Sequence, residues 1–404
     1  MSHIPTSPQK ERAARRMTAR SGLRAALFCA LFCALFCALF CALFCAGCAG
    51  EEAWTPGNPL AKEKIVIGVL YLDKADGAGY SFAHETGIRK MQQALGLRDA
   101  QIIRKFDISE SDARMIEHTI RECIAAGANI IIATSWGYMD ACATLAEEYP
   151  SVIFANASGF KRNEKNFTNY FGRVYQARYL SGIVAGLKTK TGKIGFVAAM
   201  GSSNTEVTGG INAFALGVES ANPDARIYVR VTNSWFDPAG ERRATRRLLR
   251  SGCDVIAQHC DTVNPQMEAE KTGVWGIGYN SDMARFAPNA VLTSVVWNWE
   301  VYYTHLIASV INGSFTTKPY YGGMAEGMVA ITPLNESQTT QAVRDAVAAA
   351  RERIITGKSN VFDGVMRTNS GRTVGVAGGT LPDSEITRGI NWYYRTVVDV
   401  SASR

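Results

Sequence analysis

The stretch KIGFVAAMGSSNTEVTGGINAFALGVESANPDARIYVRV, residues 193–231, contains two apolar runs of six residues separated by a longer amphipathic segment. The runs Lys193–Ala198 and Arg226–Val231 have the length and composition of buried strands. The segment Thr205–Ser220 between them carries apolar residues at helical spacing. A strand, a helix and a second strand in this order predict a βαβ unit, whose two strands lie parallel in one sheet.

The same alternation continues on both sides of this unit. Seven further apolar runs have strand character: Ile65–Tyr71, Gln101–Phe106, Ile130–Thr134, Val152–Ala155, Asp254–Gln258, Val274–Tyr279 and Val291–Val296. Helical patterns at Ser111–Ala125, Met139–Glu148 and Pro238–Ser251 separate several of them. We therefore expect an α/β protein with doubly wound parallel sheets. A break near Phe171–Tyr175 predicts two sheets, and the helix Tyr175–Lys188 opens the second.

The first 48 residues have the pattern of an export signal. A basic segment precedes the apolar block Leu27–Cys48, which repeats Ala-Leu-Phe-Cys and ends in Cys45-Ala46-Gly47-Cys48. This pattern predicts a secretory signal that is removed from the mature chain. The small pair before Cys48 resembles the lipobox of bacterial lipoproteins, whose Cys is lipidated, although Cys45 stands where Leu is usual. The alternative is an uncleaved membrane anchor, because about twenty apolar residues just span a bilayer.

Charge and cysteine content narrow the possible functions. The 404 residues include 43 Lys+Arg and 36 Asp+Glu, of which residues 1–48 hold six and one, leaving 37 against 35. This balance gives no basic surface for nucleic-acid binding. Four cysteines follow the signal: Cys123, Cys142, Cys253 and Cys260. A strand between the last two would separate them by roughly 23 Å, too far for a disulfide bond. We expect small buried side chains, while pairing of Cys123 with Cys142 stays open.

Aromatic and polar residues follow nearly every predicted strand, where ligands bind in open α/β sheets. The candidate ligand-binding residues are Tyr80, Phe82, Trp136, Asp140, Trp235, His259, Asp261, Asn280, Asp282 and Trp297. Flat rings with a few polar groups suit a planar ligand with hydrogen-bonding edges, such as a nucleobase, whose N–H groups Asp140 or Asp261 would accept. Each residue alone has a simpler explanation: Asp237 and Asp282 could cap a helix and a turn, and Tyr80 and Phe82 could be core.

Enzyme and metal motifs are absent from the sequence. It contains neither G-x-S-x-G nor H-E-x-x-H, and the glycines of 186–193 are too far apart for a phosphate-binding loop. His259, Cys260 and Asp261 are consecutive, and consecutive residues seldom converge on one metal ion. We therefore expect no catalytic residue, no metal and no cofactor.

Several segments together resemble the basic membrane protein family, the purine nucleoside receptor-like lipoproteins that bind substrates for ABC transporters. They are Ile65-Val-Ile-Gly-Val, Gly79-Tyr-Ser-Phe-Ala-His-Glu-Thr-Gly87, Asn233-Ser-Trp-Phe-Asp-Pro238, Gln258-His-Cys-Asp261, Gly278-Tyr-Asn-Ser-Asp-Met283, Leu292-Thr-Ser-Val-Val296, Val361-Phe-Asp-Gly, Leu381-Pro-Asp and Trp392-Tyr-Tyr. The resemblance covers about residues 62–396. It implies a type I periplasmic-binding-protein fold, in which two lobes joined by three hinge crossings close on a ligand.

The resemblance also implies boundaries and residue roles. Residues 1–48 would be the signal, 49–61 a linker, 62–173 with about 297–323 the N-terminal lobe, 174–296 with about 324–358 the C-terminal lobe, and 359–404 a tail that packs across both. In nucleoside-binding members two aromatic residues enclose the base. Their positions here are Tyr80, with Phe82 as the alternative, and Trp235, while Asp140 matches a base-contacting Asp.

Two departures from the family concern the sugar. The family's Gly-Val-Asp-x-Asp ends here in Asn280-Ser281-Asp282, and the Lys of its Ser-x-x-Lys is Trp297. Trp cannot replace an ammonium that donates hydrogen bonds, and its bulk would fill the ribose space. A Gly-rich turn of the family is replaced by the bulkier His259-Cys260-Asp261. These changes predict a pocket shortened to hold a free purine base.

The expected function is that of a substrate-binding lipoprotein of an ABC importer. It would capture a purine base or nucleoside, adenine being the first candidate, and deliver it to the permease and ATPase subunits. We expect an exported monomer, held at the membrane by lipid on Cys48 and without nucleic acid. The alternatives are a sensory receptor, a receptor for another fused heterocycle such as riboflavin, and an enzyme that cleaves nucleosides.

Overall fold

Two β-sheets organise residues 54–402, the part of the chain that the computed structural model describes. Residues 55–402 belong to one compact unit. The predicted signal with Cys48, and residues 49–53 of the predicted linker, lie outside the described residues.

The elements alternate between strands and helices for most of the chain. The strands are β1 (Ile67–Leu70), β2 (Ile102–Lys105), β3 (Ile130–Ala133), β4 (Ile153–Ala157), β5 (Phe167–Gly172), β6 (Lys193–Ala198), β7 (Arg226–Val231), β8 (Val255–His259), β9 (Trp275–Asn280), β10 (Val291–Trp297), β11 (Tyr320–Gly322), β12 (Val329–Ile331), β13 (Met366–Arg367), β14 (Thr373–Val374) and β15 (Val397–Asp399). The helices are α1 (Tyr80–Leu95), α2 (Ala113–Ala125), α3 (Met139–Glu148), α4 (Val174–Lys188), α5 (Thr205–Ala221), α6 (Pro238–Arg250), α7 (Asn264–Thr272), α8 (Trp299–Asn312), α9 (Gln341–Ile355) and α10 (Asp383–Arg388).

The strand order shows two separate parallel cores. The first sheet has the order β11-β5-β4-β3-β1-β2, and all its pairs are parallel. The second has the order β12-β10-β9-β8-β6-β7-β15, with only the edge strand β12 antiparallel. Strands such as β3 and β8 are buried along their whole length, as expected for parallel sheets covered by helices on both faces. The prediction of two parallel sheets is confirmed.

The chain passes between the sheets at three places. Arg173 joins β5 to α4, Asn298 joins β10 to α8, and residues 323–328 join β11 to β12. Arg173 also connects two of these crossings, because its Nη1 donates to the carbonyl oxygen of Tyr321 on β11 at 2.5 Å. The backbone N–H of Asn298 donates to the carbonyl oxygen of Met328 at 2.9 Å, so the three crossings lie side by side, as they do in a hinge.

Most elements agree with the sequence, and two differences can be explained. All nine predicted strands are present, and β5 lies just before the predicted break. Helix α8 was not predicted because it carries apolar residues such as Val301 and Ile311 outside its buried face, which weakens the amphipathic pattern. The tail is less irregular than expected, since β15 joins the edge of the second sheet beside β7.

The smaller local predictions can also be compared with the structure. Asp237 caps α6, because its Oδ1 accepts from the backbone N–H of Gly240 at 2.9 Å. The four cysteines within residues 54–402 are free and buried. Over the same residues, no helix combines the length and the apolar character needed to cross a membrane.

Buried amide side chains fix the loop that follows β8. The Nε2 of Gln258 donates to the carbonyl oxygens of Cys260 (2.8 Å) and Thr262 (2.7 Å). Its Oε1 accepts from Nε2 of Gln266 on α7 at 2.9 Å. Buried polar groups destabilise a fold when they lack such partners, so this network holds Asp261 at the carboxyl end of β8.

Replacing Gln258 with Met should destabilise the protein while keeping the volume of the side chain. The substitution leaves two loop carbonyls without their donor, at an expected cost of about 1–3 kcal/mol in the free energy of unfolding. Urea unfolding followed by circular dichroism measures this cost. The matched control is Gln93→Met, because Gln93 is exposed on α1 and Met and Gln have similar helix propensities. Equal stability of the two variants would contradict the assigned role of Gln258.

Candidate functional site

A cavity of about 680 Å³ lies where the carboxyl ends of the two sets of parallel strands meet. Its wall includes Ser135 and Trp136 after β3, Trp235 after β7, and Asp261 after β8. This volume falls within the range of about 300–1,000 Å³ that is usual for small-molecule sites. The position is the one at which open α/β sheets bind their ligands.

Aromatic side chains dominate the wall of the cavity. They are Tyr80, Trp136, Phe160, Phe171, Tyr175, Trp235, Tyr279, Tyr320 and Tyr321. Trp136 and Phe160 each keep 57% of their surface exposed, so their rings are accessible to a ligand in the cavity. Rings of this kind offer flat, apolar faces on which a planar ligand can stack.

Tyr80 is held rigidly at the start of α1. Its ring packs edge-on against His84 and Trp299, with centroid distances of 4.4 Å and 6.1 Å. Gly79, just before it, has φ of +91°, and a Cβ placed there would lie 2.9 Å from the carbonyl oxygen of Asp261. The loop after β1 in the first sheet therefore touches the loop after β8 in the second, and only glycine permits this approach.

Asp261 is a buried carboxyl group on the wall. Asn280 Nδ2 donates to its Oδ1 at 2.7 Å, which fixes its orientation. Burial, together with the charge of Glu241, raises the pKa of Asp261 well above its usual value, against the effect of the hydrogen bond from Asn280. A carboxyl group in this environment can either donate or accept a hydrogen bond, depending on pH.

Glu206 provides a second carboxyl group from the first turn of α5. Burial raises the pKa of Glu206 to about 7, although the charge of Arg178 and a hydrogen bond with Tyr279 oppose this shift. Its Oε1 lies 3.4 Å from Nε2 of His259. Burial, and then the charge of Arg178, lower the pKa of His259 well below its usual value, so this imidazole is neutral at pH 7. The carboxyl group of Glu206, in contrast, changes its charge near pH 7.

Tyr279 is backed by bulky groups on both sides. Trp297, which is 5% exposed, stacks on Trp299 at a centroid distance of 4.6 Å and donates from Nε1 to the Tyr279 hydroxyl at 3.3 Å. The guanidinium of Arg178 lies 4.2 Å from the centre of the Tyr279 ring, and its Nη1 donates to the carbonyl oxygen of Gln258 at 2.7 Å. This wall of the cavity is therefore firmly packed.

Seven of the ten candidates from the sequence lie at the cavity or directly behind its wall. Tyr80, Trp136, Trp235 and Asp261 line it. Behind the wall, His259 packs against Trp235 and Tyr279 at centroid distances of 5.9 Å and 4.4 Å. Asn280 binds Asp261, and Trp297 binds Tyr279, as described above.

The other three candidates lie off the cavity wall. Phe82 lies under the guanidinium of Arg285, which is 4.7 Å from the centre of the Phe82 ring. Asp140 is exposed and accepts from Lys161 Nζ at 2.8 Å. Asp282 accepts from the backbone N–H of Ala284 at 2.9 Å and so caps a turn. In this geometry these residues make surface or interlobe contacts.

Several lining residues were not found from the sequence. Phe171 and Phe160 were missed because β5 was not recognised as a strand, and the loop before it was not searched. Glu206 was missed because only the residues directly after strands were considered; its position in the first turn of the helix after β6 was the available signal. Among residues 54–402, no group of three or more His, Cys, Asp or Glu side chains is arranged to hold a metal ion.

Solved structures support the fold. An ABC transporter solute-binding protein from Conexibacter woesei superposes with a TM-score of 0.62 at 18% identity, covering 73% of this chain and 98% of that one. The predicted class, a type I periplasmic-binding-protein fold with two doubly wound lobes joined by hinge crossovers, is confirmed.

Curated relatives and a family profile cover most of the chain. A purine-binding protein of Brucella abortus (strain 2308) is 32% identical over 339 residues, which are 84% of this chain and 94% of that protein. A putative ABC transporter glucose-binding protein of Haloferax volcanii is 33% identical over 308 residues, 76% of each chain. Residues 64–361 match the profile of the family described as ABC transporter substrate-binding protein PnrA-like. The chain therefore belongs to the PnrA-like family of ABC transporter substrate-binding proteins.

Proposed function

We propose that this substrate-binding protein captures a purine base, with adenine as the first candidate, in the cavity between its two sheets. The observation that carries the proposal is the combination of aromatic rings from both sheets with two carboxyl groups, the buried Asp261 and the partly buried Glu206. Rings hold a flat heterocycle by its faces, while carboxyl groups bind the N–H groups on its edge. The purine-binding relative from Brucella abortus supports the same ligand class.

The charge of the wall favours an unphosphorylated ligand. Glu110, Glu206, Asp261 and Asp383 line the cavity, and Arg388 is the only Lys or Arg among the described residues of its wall. Carboxyl oxygens accept hydrogen bonds from amino and ring N–H groups, and those that are ionised repel phosphate. This balance supports a base over a nucleotide.

The packing behind Tyr279 supports a free base over a nucleoside. The family's Val and Lys, the second of which reaches ribose hydroxyls, are replaced here by Tyr279 and Trp297. Trp297 stacks on Trp299 and hydrogen-bonds to Tyr279, so neither large ring can move aside without breaking packed contacts. A sugar would have to occupy the volume that these rings fill.

Export and partners complete the proposal. The sequence pattern at Leu27–Cys48 supports an exported monomer that is tethered by lipid on Cys48. The linker 49–61 would connect this tether to the two lobes, which would have the boundaries given in the sequence analysis. The loaded protein would deliver its ligand to the permease and ATPase subunits of an ABC importer. In this proposal the ligand contacts Tyr80, Trp136, Trp235 and Asp261 on the cavity wall.

Glucose is the second candidate ligand. The relative from Haloferax volcanii is described as a putative glucose-binding protein, and carboxylates with aromatic platforms also suit a sugar. The wall carries polar side chains that could bind a sugar, among them Asn169 and Asn204, but its nine aromatic residues offer the flat faces that favour a planar heterocycle.

Isothermal titration calorimetry should show adenine binding with a dissociation constant of about 1 μM or below. Adenosine should bind at least about tenfold more weakly, because its ribose would clash with Tyr279, which Trp297 supports from behind. Trp235→Ala should weaken adenine binding about 5- to 150-fold, the usual range for losing one base-stacking ring. The matched control is Trp275→Ala. Trp275 begins β9, at the opposite end of the strand from Tyr279, and its loss should leave the affinity for adenine unchanged.

Two outcomes would contradict this proposal. Equal affinities for adenine and adenosine would show that the wall around Tyr279 does not exclude ribose. Binding of glucose without any purine would replace the proposed ligand by the second candidate. Mass spectrometry of the molecule released from purified, denatured protein would identify the ligand directly.

The pKa of Glu206, about 7 against an ordinary value of 4.5, predicts two opposite pH effects. The neutral carboxyl group contributes its full stabilisation below about pH 4.5, and this stabilisation is lost as the pH rises through about 7. The melting temperature of the ligand-free protein should therefore fall over this pH range. Adenine binding should instead strengthen, because the ionised carboxylate accepts its N–H groups.

Glu206→Gln should remove both trends, measured by thermal melts and calorimetry between about pH 5 and about pH 8. The matched control is Glu336→Gln at an exposed position off the cavity wall, which should keep them. The same pH profile in Glu206→Gln as in the unsubstituted protein would assign the trends to another group, such as Asp261.

A further inference from the structure

We infer that the C-terminal segment Asp383–Arg388, helix α10, forms one wall of the ligand cavity and helps to determine which ligands the cavity admits. The effect of this segment on ligand selectivity rests on the proposed function, since it is tested with adenine. The family match ends at residue 361, so the match itself assigns no role to this segment. The role follows from where the segment lies and from what holds it there.

The segment contributes five residues to the wall: Asp383, Ser384, Ile386, Thr387 and Arg388. They lie beside Tyr175 and Glu206, which line the same cavity. A ligand in the cavity therefore meets this segment on one side, more than 300 positions along the chain from Tyr80.

The segment is attached to the second sheet and its helices. Thr205 Oγ1, at the start of α5, donates to the carbonyl oxygen of Thr387 at 2.6 Å. Ile386 is 5% exposed and packs beside Gly209 of α5, where a Cβ would lie 4.0 Å from it. Further along, Asn212 on α5 accepts from Tyr394 N and donates to the carbonyl oxygen of Trp392, at 2.8 Å and 2.7 Å. The wall is thus a docked part of the fold.

An ion pair connects the segment to the hinge. Asp383 Oδ2 accepts from Arg173 Nη2 at 2.6 Å, and Tyr175 Oη donates to Oδ1 at 3.2 Å. Arg173 lies on the first crossing and also binds Tyr321 next to the third. Because the guanidinium of Arg173 binds both Asp383 and Tyr321, the position of the wall is linked to the hinge.

Arg388 reaches across to the first sheet. Its guanidinium lies 5.8 Å from the ring centre of Phe160, in the loop between β4 and β5. A guanidinium offers only donors and stacks on rings, whereas the carboxyl groups opposite accept hydrogen bonds. The segment therefore favours neutral heterocycles that carry an acceptor, such as a ring nitrogen or carbonyl, on the edge facing Arg388.

Cysteine labelling tests whether a ligand contacts this wall. Ser384→Cys places a thiol at an exposed position of the segment, and the rate of its reaction with a maleimide is measured above the background of the unsubstituted protein. Saturating adenine should slow this reaction at least about fivefold, because a bound ligand covers the thiol. The control Ser337→Cys, exposed and off the cavity wall, should react at one rate with and without adenine. An unchanged rate at position 384 with adenine bound overturns the inference.

Removing the cation tests the effect on selectivity. Arg388→Ala should weaken adenine binding about tenfold by calorimetry, the size expected for losing a hydrogen bond from a charged donor to the acceptor edge of the ligand. It should weaken binding less for a purine analogue that lacks one ring nitrogen acceptor. The control Arg351→Ala, at an exposed position of α9, should bind adenine normally. Equal losses for both ligands would show that Arg388 does not read the acceptor edge.

A ligand-independent measurement separates this inference from the proposed function. If the unsubstituted protein binds no purine, the proposed function fails, and the docking of the wall is tested by thermal unfolding of Arg173→Ala, Asp383→Ala and the double variant. Docking predicts that the double variant melts well above the temperature expected from adding the two single effects. Additive effects would show that the segment is not held at the hinge, and would overturn the inference.

Discussion

The parallel direction of the strands is the constraint on which the rest of the structure depends. Since every strand of a parallel sheet ends at the same edge, the loops after β3, β7 and β8 must emerge where the two sheets face each other. The residues that can contact a ligand are therefore chosen by topology before their chemistry matters. Gln258 and the close contact at Gly79 then fix where those loops lie.

Electrostatics sets the chemistry of the site within this frame. Arg178 is fully buried, and burial lowers the pKa of its guanidinium to about 10. Burial, and then the charge of Arg178, lower the pKa of His259, while the same charge opposes the rise in the pKa of Glu206. This buried cation therefore favours the ionised form of Glu206, which accepts hydrogen bonds.

The sequence predicts the sheets well because parallel strands are buried on both faces and form continuous apolar runs. It predicts the site less completely. Trp235 and Asp261 directly follow strands and lie on the wall, whereas Asp140 also follows a strand but points to Lys161 at the surface. Which way a residue of a first helical turn faces depends on tertiary packing. The contribution of Arg388 depends on a contact across most of the chain, which local patterns cannot encode.

The distant position of α10 along the chain has a consequence for how the protein matures. Residues from near both ends of the folded unit, Tyr80 and Arg388, must meet before the cavity is complete. Contacts between such distant segments form late, because their loop-closure entropy is large. A folding chain would therefore lack one wall of the cavity until residues 383–388 have docked. Ligand binding would then report that this segment is in place.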